Sequence, residues 1–129
     1  MNNDLIYLAC PYTHPDRDIM TIRFLMVNKV ASQLMADGKY IFSPISHTHP
    51  IAEAGNLPRG WDYWEGYDRR IISECNRIIV LQLPGWKESK GVLAEIKIGE
   101  ELGIPIDYLD YDDTIYQSFI KSLYKFHSQ

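Results

Sequence analysis

The sequence predicts a single α/β domain, a doubly wound open parallel sheet of four to five strands in the Rossmann-like or flavodoxin-like manner, with helices on both faces. Short apolar runs alternate along the chain with longer segments of helical periodicity, as expected for strands joined by crossover helices. The length of 129 residues suits one domain with a full core. Right-handed crossovers leave few other arrangements of such elements.

The first half of the chain begins with a strand and a long helix. Leu5–Cys10 is an apolar run stopped by Pro11, which is typical of a strand covered on both faces. From Asp16, apolar residues recur at steps of four and three until Gly38, where a left-handed helix C-cap is expected. Tyr40–Ser43 predicts a short second strand.

The segment Pro44–Gly60 contains three prolines, two glycines and a histidine pair, and we interpret it as a loop of about seventeen residues. Loops of that length in a small domain are usually functional or mobile. The remaining predicted elements are a helix over Trp61–Ser73, a strand over Ile78–Leu83, a helix over Ser89–Leu102 that ends at Gly103, a strand over Ile104–Leu109 and a helix over Thr114–Phe126.

The composition excludes several classes of partner. The chain carries 13 Lys and Arg against 17 Asp and Glu, a net charge of -4, whereas gripping polymeric nucleic acid requires a basic surface. No apolar run is long enough for a membrane span, and the N-terminal residues lack the basic start of a signal peptide, so we expect a cytoplasmic protein. Cys10 and Cys75 lie in apolar segments without CxxC spacing, which indicates reduced, buried thiols.

In an open parallel sheet the ligand lies beyond the carboxyl ends of the strands. Those ends are predicted at Cys10–Tyr12, Ser43–His47 and Leu83–Ser89, which makes Cys10, Tyr12 and His47 candidate substrate-binding residues. No Gly-x-Gly-x-x-Gly follows the first strand and no Gly-Lys-Ser/Thr occurs. The dinucleotide fingerprint and the phosphate-binding P-loop are therefore both excluded.

An anion site is expected where the third strand leads into a helix. Ser89 is a good N-cap, and the free N–H groups of Lys90, Gly91 and Val92 would lie at the positive end of the helix dipole. Gly91 would allow a phosphate to approach closely. The alternative is that Ser89 only caps the helix and Gly91 marks tight packing.

Two carboxylates interrupt apolar helix faces. Glu95 lies among Leu93, Ala94 and Ile96. Asp68 falls on the helix face shared by Trp61, Trp64 and Ile71 or Ile72, which should face the sheet. Each could instead be the solvated edge of its helix. Enzymes that cleave glycosidic bonds typically use a pair of carboxyl groups, so we consider Glu95 and Asp68 candidate catalytic residues.

Histidines and aromatic residues supply further candidates. His47 and His49 alternate as metal ligands can, but no third ligand has matched spacing, so we expect no metal and interpret them as ligand-contacting or solvated. The cluster of Trp61, Trp64 and Tyr67 could stack on a nucleobase or simply belong to the core and anchor a loop. No Gly-x-Ser-x-Gly occurs, and we find no motif for a Ser/His/Asp or Cys/His triad.

The motifs resemble the nucleoside 2-deoxyribosyltransferase-like family from about Leu5 to Ile106. The resemblance depends on Ile6–Pro11, on Asp68 eight residues before Asn76 ahead of an apolar strand, and on Ser89-x-Gly91-x-x-x-Glu95 after it. It implies that Glu95 is the nucleophile on the anomeric carbon, that Asp68 assists the leaving base and orients the sugar, and that Tyr7 lines the pocket.

Within that family, the transferase branch carries an aspartate six residues before the nucleophile, whereas the 2'-deoxynucleoside 5'-phosphate N-hydrolase branch carries a serine that contacts the 5'-phosphate. This chain has Ser89 at that position. The resemblance thus implies hydrolysis of a small deoxynucleotide without a cofactor, in a homodimer or higher homo-oligomer. Base exchange between deoxynucleosides and nucleotide binding without turnover are the alternatives. Release of free base would distinguish an enzyme from a binding protein.

Overall fold

The computed structural model describes residues 3–127. Its elements are, in chain order, β1 (Leu5–Ala9), α1 (Arg17–Ala36), β2 (Tyr40–Phe42), α2 (Pro44–Gly55), α3 (Trp61–Ile72), β3 (Arg77–Leu81), a 3-10 turn (Trp86–Glu88), α4 (Lys90–Glu101), β4 (Ile106–Leu109) and α5 (Asp113–His127). The four strands are all parallel, in the order β2-β1-β3-β4. The predicted doubly wound α/β fold is confirmed.

The sheet separates two apolar layers, because successive side chains of a strand point to opposite faces. Ile6 and Leu8 of β1 pack in one layer with α1 and α5. Tyr7 and Ala9 pack in the other with α3 and α4. Each layer also holds one of the two cysteines as a free, buried thiol, as the sequence predicts.

The helix ends carry the predicted signals. Asp16 caps α1 by accepting a hydrogen bond from the main-chain N–H of Asp18 at 2.9 Å. Gly38 and Gly103 follow α1 and α4 with φ of +88° and +70°, the left-handed conformation that glycine adopts without strain. All the helices and strands that the sequence predicts are present, with ends shifted by at most two residues. The structure adds one helix, α2.

The prediction of a loop over Pro44–Gly60 is wrong for most of its length, because Pro44–Gly55 forms α2. Pro44 is the first helical residue, where the missing N–H costs no hydrogen bond. Pro50 removes one main-chain hydrogen bond inside the helix. Ile45 and Ala52 are buried on the inner side of α2, and this tertiary packing outweighs the low helix propensity of proline. Only the last residues of the segment connect α2 to α3.

The chain order places a cleft at the carboxyl ends of β1 and β3. The connection from β1 leads to β2 on one side, and the next connection returns past β1 to β3. The segments that follow β1 and β3 therefore diverge, which is where ligands bind in this class of sheet. None of the helices within residues 3–127 is both long and apolar enough to cross a membrane.

Candidate active site

A cavity of about 420 Å³ lies in this cleft, a size typical of small-molecule sites. Its walls come from the segment after β1, from α2, from α3 and the connection before it, and from the N-terminal half of α4. Seven of the nine site residues that the sequence predicts line the cavity: Cys10, Tyr12, Trp64, Asp68, Ser89, Gly91 and Glu95. Tyr7 and His47 do not.

The two candidate catalytic carboxyl groups are both buried. Glu95 on α4 is 5% exposed and Asp68 on α3 is 8% exposed. Both line the same cavity because α3 and α4 pack side by side on the same face of the sheet. The alternative that either is the solvated edge of its helix is excluded. A buried carboxyl without a cationic partner is costly, so its presence in a cavity wall indicates a ligand site.

Tyr7 approaches Glu95 from inside the sheet. It is fully buried in β1, and its hydroxyl donates a hydrogen bond to Oε2 of Glu95. This contact fixes one carboxyl oxygen and the plane of the carboxyl group. Tyr7 is thus a support behind Glu95 and not a lining residue of the cavity.

Burial shifts the proton affinity of both acids. It raises the pKa of Glu95 to about 8, where the negative charge of Asp68 adds to the rise and the Tyr7 hydrogen bond opposes it. Burial raises the pKa of Asp68 to about 7, and Oδ1 of Asp68 accepts no hydrogen bond from the described residues. Near neutral pH the pair therefore holds at least one proton, which the higher pKa of Glu95 favours on Glu95 in the ligand-free protein.

The start of α4 forms one end of the cavity. Ser89 caps the helix, since its Oγ accepts from the N–H of Val92 at 3.2 Å. The serine O–H and the first helical N–H groups remain available as donors. A Cβ on Gly91 would lie 3.6 Å from Cε3 of Trp61 and 4.0 Å from Oγ of Ser89. These are ordinary contact distances, so close packing within the protein does not require glycine here.

The histidine pair of α2 divides between two environments. The Nδ1 atom of His49 is hydrogen-bonded to the hydroxyl of Tyr12, and its ring stacks on Phe24 with centroids 4.2 Å apart. Burial lowers the pKa of His49, which favours the neutral ring. The ring of His47 instead stacks on Tyr67 with centroids 6.3 Å apart, outside the cavity wall.

No three His, Cys, Asp or Glu side chains within the described part of the chain are grouped to hold a metal ion. The aromatic cluster serves in part as a loop anchor, because Nε1 of Trp64 donates to the carbonyl of Pro58 at 2.8 Å. Trp61 and Trp64 also line the cavity. Trp64 is thus both a loop anchor and a lining residue of the cavity.

Arg59 is a cavity residue that the sequence did not reveal. Its guanidinium pairs with Glu53 at 3.1 Å and donates to the carbonyl of Leu57 at 3.1 Å. Its Nε is buried without an acceptor among the described residues. A lone arginine between Pro58 and Gly60 carries no motif, and only the folded position of the segment shows that it faces the site.

The fold and the site together define a class: a doubly wound α/β domain with a buried carboxyl pair and a helix N-terminus in one cleft. The chain belongs to the family described as "Domain of unknown function (DUF1937)", whose family model matches residues 4–110. That range includes every lining residue of the cavity. A comparison with curated proteins finds no match.

Proposed function

We propose that the protein is an N-glycosidase that hydrolyses the bond between base and sugar in a 2'-deoxynucleoside 5'-monophosphate. The observation that carries this proposal is the placement of Glu95 and Asp68, both buried, in one cavity whose end is the N-terminus of α4. The motif resemblance to the nucleoside 2-deoxyribosyltransferase-like family supports it. The serine at position 89 favours the hydrolase branch over the transferase branch.

The pKa order of the ligand-free pair favours the proton on Glu95, so the reactive form, with Glu95 ionised and Asp68 protonated, requires that proton to move to Asp68. In the first step, an oxygen of ionised Glu95 bonds to C1' of the sugar while the bond from C1' to the base nitrogen breaks. Protonated Asp68 gives its proton to the departing base, which leaves neutral. Tyr7 holds the other Glu95 oxygen, so the attacking carboxyl is fixed in orientation. The result is a deoxyribosyl ester of Glu95 and an ionised Asp68.

In the second step, water attacks C1' and the bond from C1' to Glu95 breaks. Asp68 accepts a proton from that water and returns to its protonated form, while Glu95 is released as a carboxylate. The products are the free base and 2-deoxyribose 5-phosphate. Both acids end in their starting states, so the cycle consumes only water and needs no cofactor.

The substrate is held by groups at the two ends of the cavity. Ser89 and the first N–H groups of α4 receive the 5'-phosphate, where the helix dipole favours negative charge. Tyr12, His49 and Trp64 line the remaining wall and supply ring faces and hydrogen-bonding atoms for the base. In the proposed complex, C1' lies between the two ends, beside Glu95.

The test is to incubate the protein with a panel of deoxynucleoside 5'-monophosphates, the matching nucleosides and ribonucleotides, and to measure released base by chromatography. We expect base release from at least one deoxynucleoside 5'-monophosphate and slower release from its nucleoside. A second arm adds a different free base. Formation of a new nucleotide would indicate base transfer, and calorimetric binding without any release would indicate a binding protein.

Ser89→Asp is expected to shift substrate preference from nucleotide to nucleoside. Aspartate caps helices as well as serine does, so α4 should remain intact. Its carboxylate would repel the phosphate but accept a hydrogen bond from a free 5'-hydroxyl. Charge-assisted hydrogen bonds contribute roughly 1.5 to 3 kcal/mol each, so the ratio of kcat/KM between the two substrates should change at least about tenfold.

The control for Ser89→Asp is Ser118→Asp, which makes the same change at an exposed position of α5 outside the cavity wall. Steady-state kinetics on one deoxynucleoside and its 5'-monophosphate give the ratio of the two kcat/KM values for each variant. An unchanged ratio in Ser89→Asp would mean that Ser89 serves only as a helix cap, and the 5'-phosphate part of the proposal would be withdrawn.

We further propose that the enzyme acts in the cytoplasm as a homodimer or higher homo-oligomer. The free thiols of Cys10 and Cys75 agree with a reducing compartment. The oligomer follows from the family resemblance, and light scattering coupled to gel filtration measures it directly.

A further inference from the structure

Arg23 of α1 is a buried cation next to the cavity. It is 7% exposed. Its Nη1 donates to the carbonyl oxygens of Tyr12 at 3.3 Å and Thr13 at 3.1 Å, and its Nη2 donates to the carbonyl oxygen of Pro84 at 3.1 Å. A buried guanidinium is costly unless its donors are satisfied, and here main-chain carbonyls satisfy it.

The carbonyls belong to the two segments whose divergence creates the cleft. Tyr12 and Thr13 follow β1, and Pro84 follows β3 in the segment that leads to Ser89. The Arg23 guanidinium packs closely against the segment after β3, because a Cβ on Gly85 would lie 2.7 Å from Nη2 of Arg23. Gly85 also has φ of +90°, so both the space and the backbone conformation require glycine.

The segment after β1 is hydrogen-bonded in turn to two other walls of the cavity. Oγ1 of Thr13 donates to the carbonyl of Arg59 at 2.8 Å, just before α3. The hydroxyl of Tyr12 is hydrogen-bonded to His49 of α2. Arg23 thus contacts the segment after β1, which is hydrogen-bonded to the residues before α3 and to α2.

We propose that Arg23 is a positioning residue that fixes the separation of the segments after β1 and β3, and with it the separation of Tyr12 from the N-terminus of α4. The planar guanidinium can direct two nitrogens to two segments at once, whereas a lysine ammonium is a single point of contact. What the cavity binds rests on the proposed function, but the connection itself is a property of the ligand-free protein.

The first measurement is hydrogen exchange by mass spectrometry on the ligand-free protein. Arg23→Met keeps an apolar stem and removes the three hydrogen bonds. We expect exchange in residues 10–16 and 82–91 to increase at least about tenfold, while α3 keeps its protection. Arg23→Lys should loosen at least one of the two segments. Arg70→Met, which removes an exposed guanidinium of α3, is the matched control and should change neither segment.

Gly85→Ala tests the same connection without replacing Arg23, because the added methyl group must displace the guanidinium. Strain from the positive φ by itself loosens residues 82–91, so the decisive readout is residues 10–16, which should exchange faster only if the guanidinium is displaced. Steady-state kinetics then separate a positioning role from a general loss of stability. We expect kcat/KM to fall at least about tenfold in Arg23→Met at a temperature where the variant is fully folded, with KM carrying most of the change.

Unchanged exchange of residues 10–16 in both Arg23→Met and Gly85→Ala would overturn the proposal. Wild-type kinetics in a folded Arg23→Met variant would overturn it as well. If the segments loosen but the wild-type protein releases no base from any nucleotide, the connection stands and the proposed function fails. If the wild-type protein releases base but the segments do not loosen, the proposed function stands and Arg23 has no positioning role.

Discussion

Glu95→Gln is expected to lower kcat/KM for base release by about 10³-fold or more, because an amide cannot form the glycosyl ester. The substitution preserves shape, and the Tyr7 hydroxyl can donate to the amide oxygen as it does to Oε2 of Glu95. The loss should therefore appear in kcat, with the fold intact. The measurement is steady-state release of base from the best deoxynucleotide of the panel, together with circular dichroism of the variant.

The matched control is Glu100→Gln, which makes the same change at an exposed position of the same helix. It should retain wild-type turnover. Asp68→Asn should also be severe, but substrates whose base leaves easily should keep more activity, since they need less help from an acid. Glu95→Gln with turnover within tenfold of the wild type would show that Glu95 is not the nucleophile.

The second large effect is on stability and does not depend on the reaction. Burial raises the pKa of Glu95 in the folded protein to about 8, well above its value in the unfolded chain. The folded state therefore binds this proton more tightly than the unfolded state. Its contribution to stability is complete below the unfolded pKa and is lost as pH rises through about 8. At pH 9 the buried charge opposes folding.

Glu95→Gln removes that charge, so its free energy of unfolding should exceed that of the wild type at pH 9 by on the order of 4 kcal/mol. At pH 5, where the wild-type acid is protonated, the two proteins should differ little. Urea unfolding at both pH values measures the effect, with Glu100→Gln as the control. An equal difference between variant and wild type at pH 5 and pH 9 would mean that Glu95 does not titrate as a buried acid.

Local sequence patterns were sufficient for most of the fold and for the two acids. Apolar runs and glycine positions located the strands and the helix ends, because strand burial and left-handed caps leave a signature within a few residues. The spacing of Asp68 from Trp61, Trp64 and Ile72 placed it on the inner face of its helix, and its burial confirms this. The N-cap role of Ser89 could also be predicted from neighbouring residues, because it depends on a hydrogen bond to Val92 only three residues away.

The features that the sequence did not reveal all depend on contacts between distant segments. The helix over Pro44–Gly55 forms despite its prolines because its inner side is buried, which no local propensity reports. Arg59 and the pairing of Tyr12 with His49 reach the cavity only after three segments meet. Arg23 stood in an otherwise apolar helix face without a motif, and its carbonyl acceptors come from Tyr12, Thr13 and a segment 61 residues away.

The most direct test of the account is the stereochemistry at C1' when methanol competes with water. Methanol captures the sugar as a stable methyl glycoside, whose configuration NMR determines. A glycosyl ester of Glu95 requires two displacements, so the β configuration of the nucleotide should be retained in the methyl glycoside. An α-methyl glycoside would show a single displacement by the incoming alcohol and would contradict the assignment of Glu95 as nucleophile.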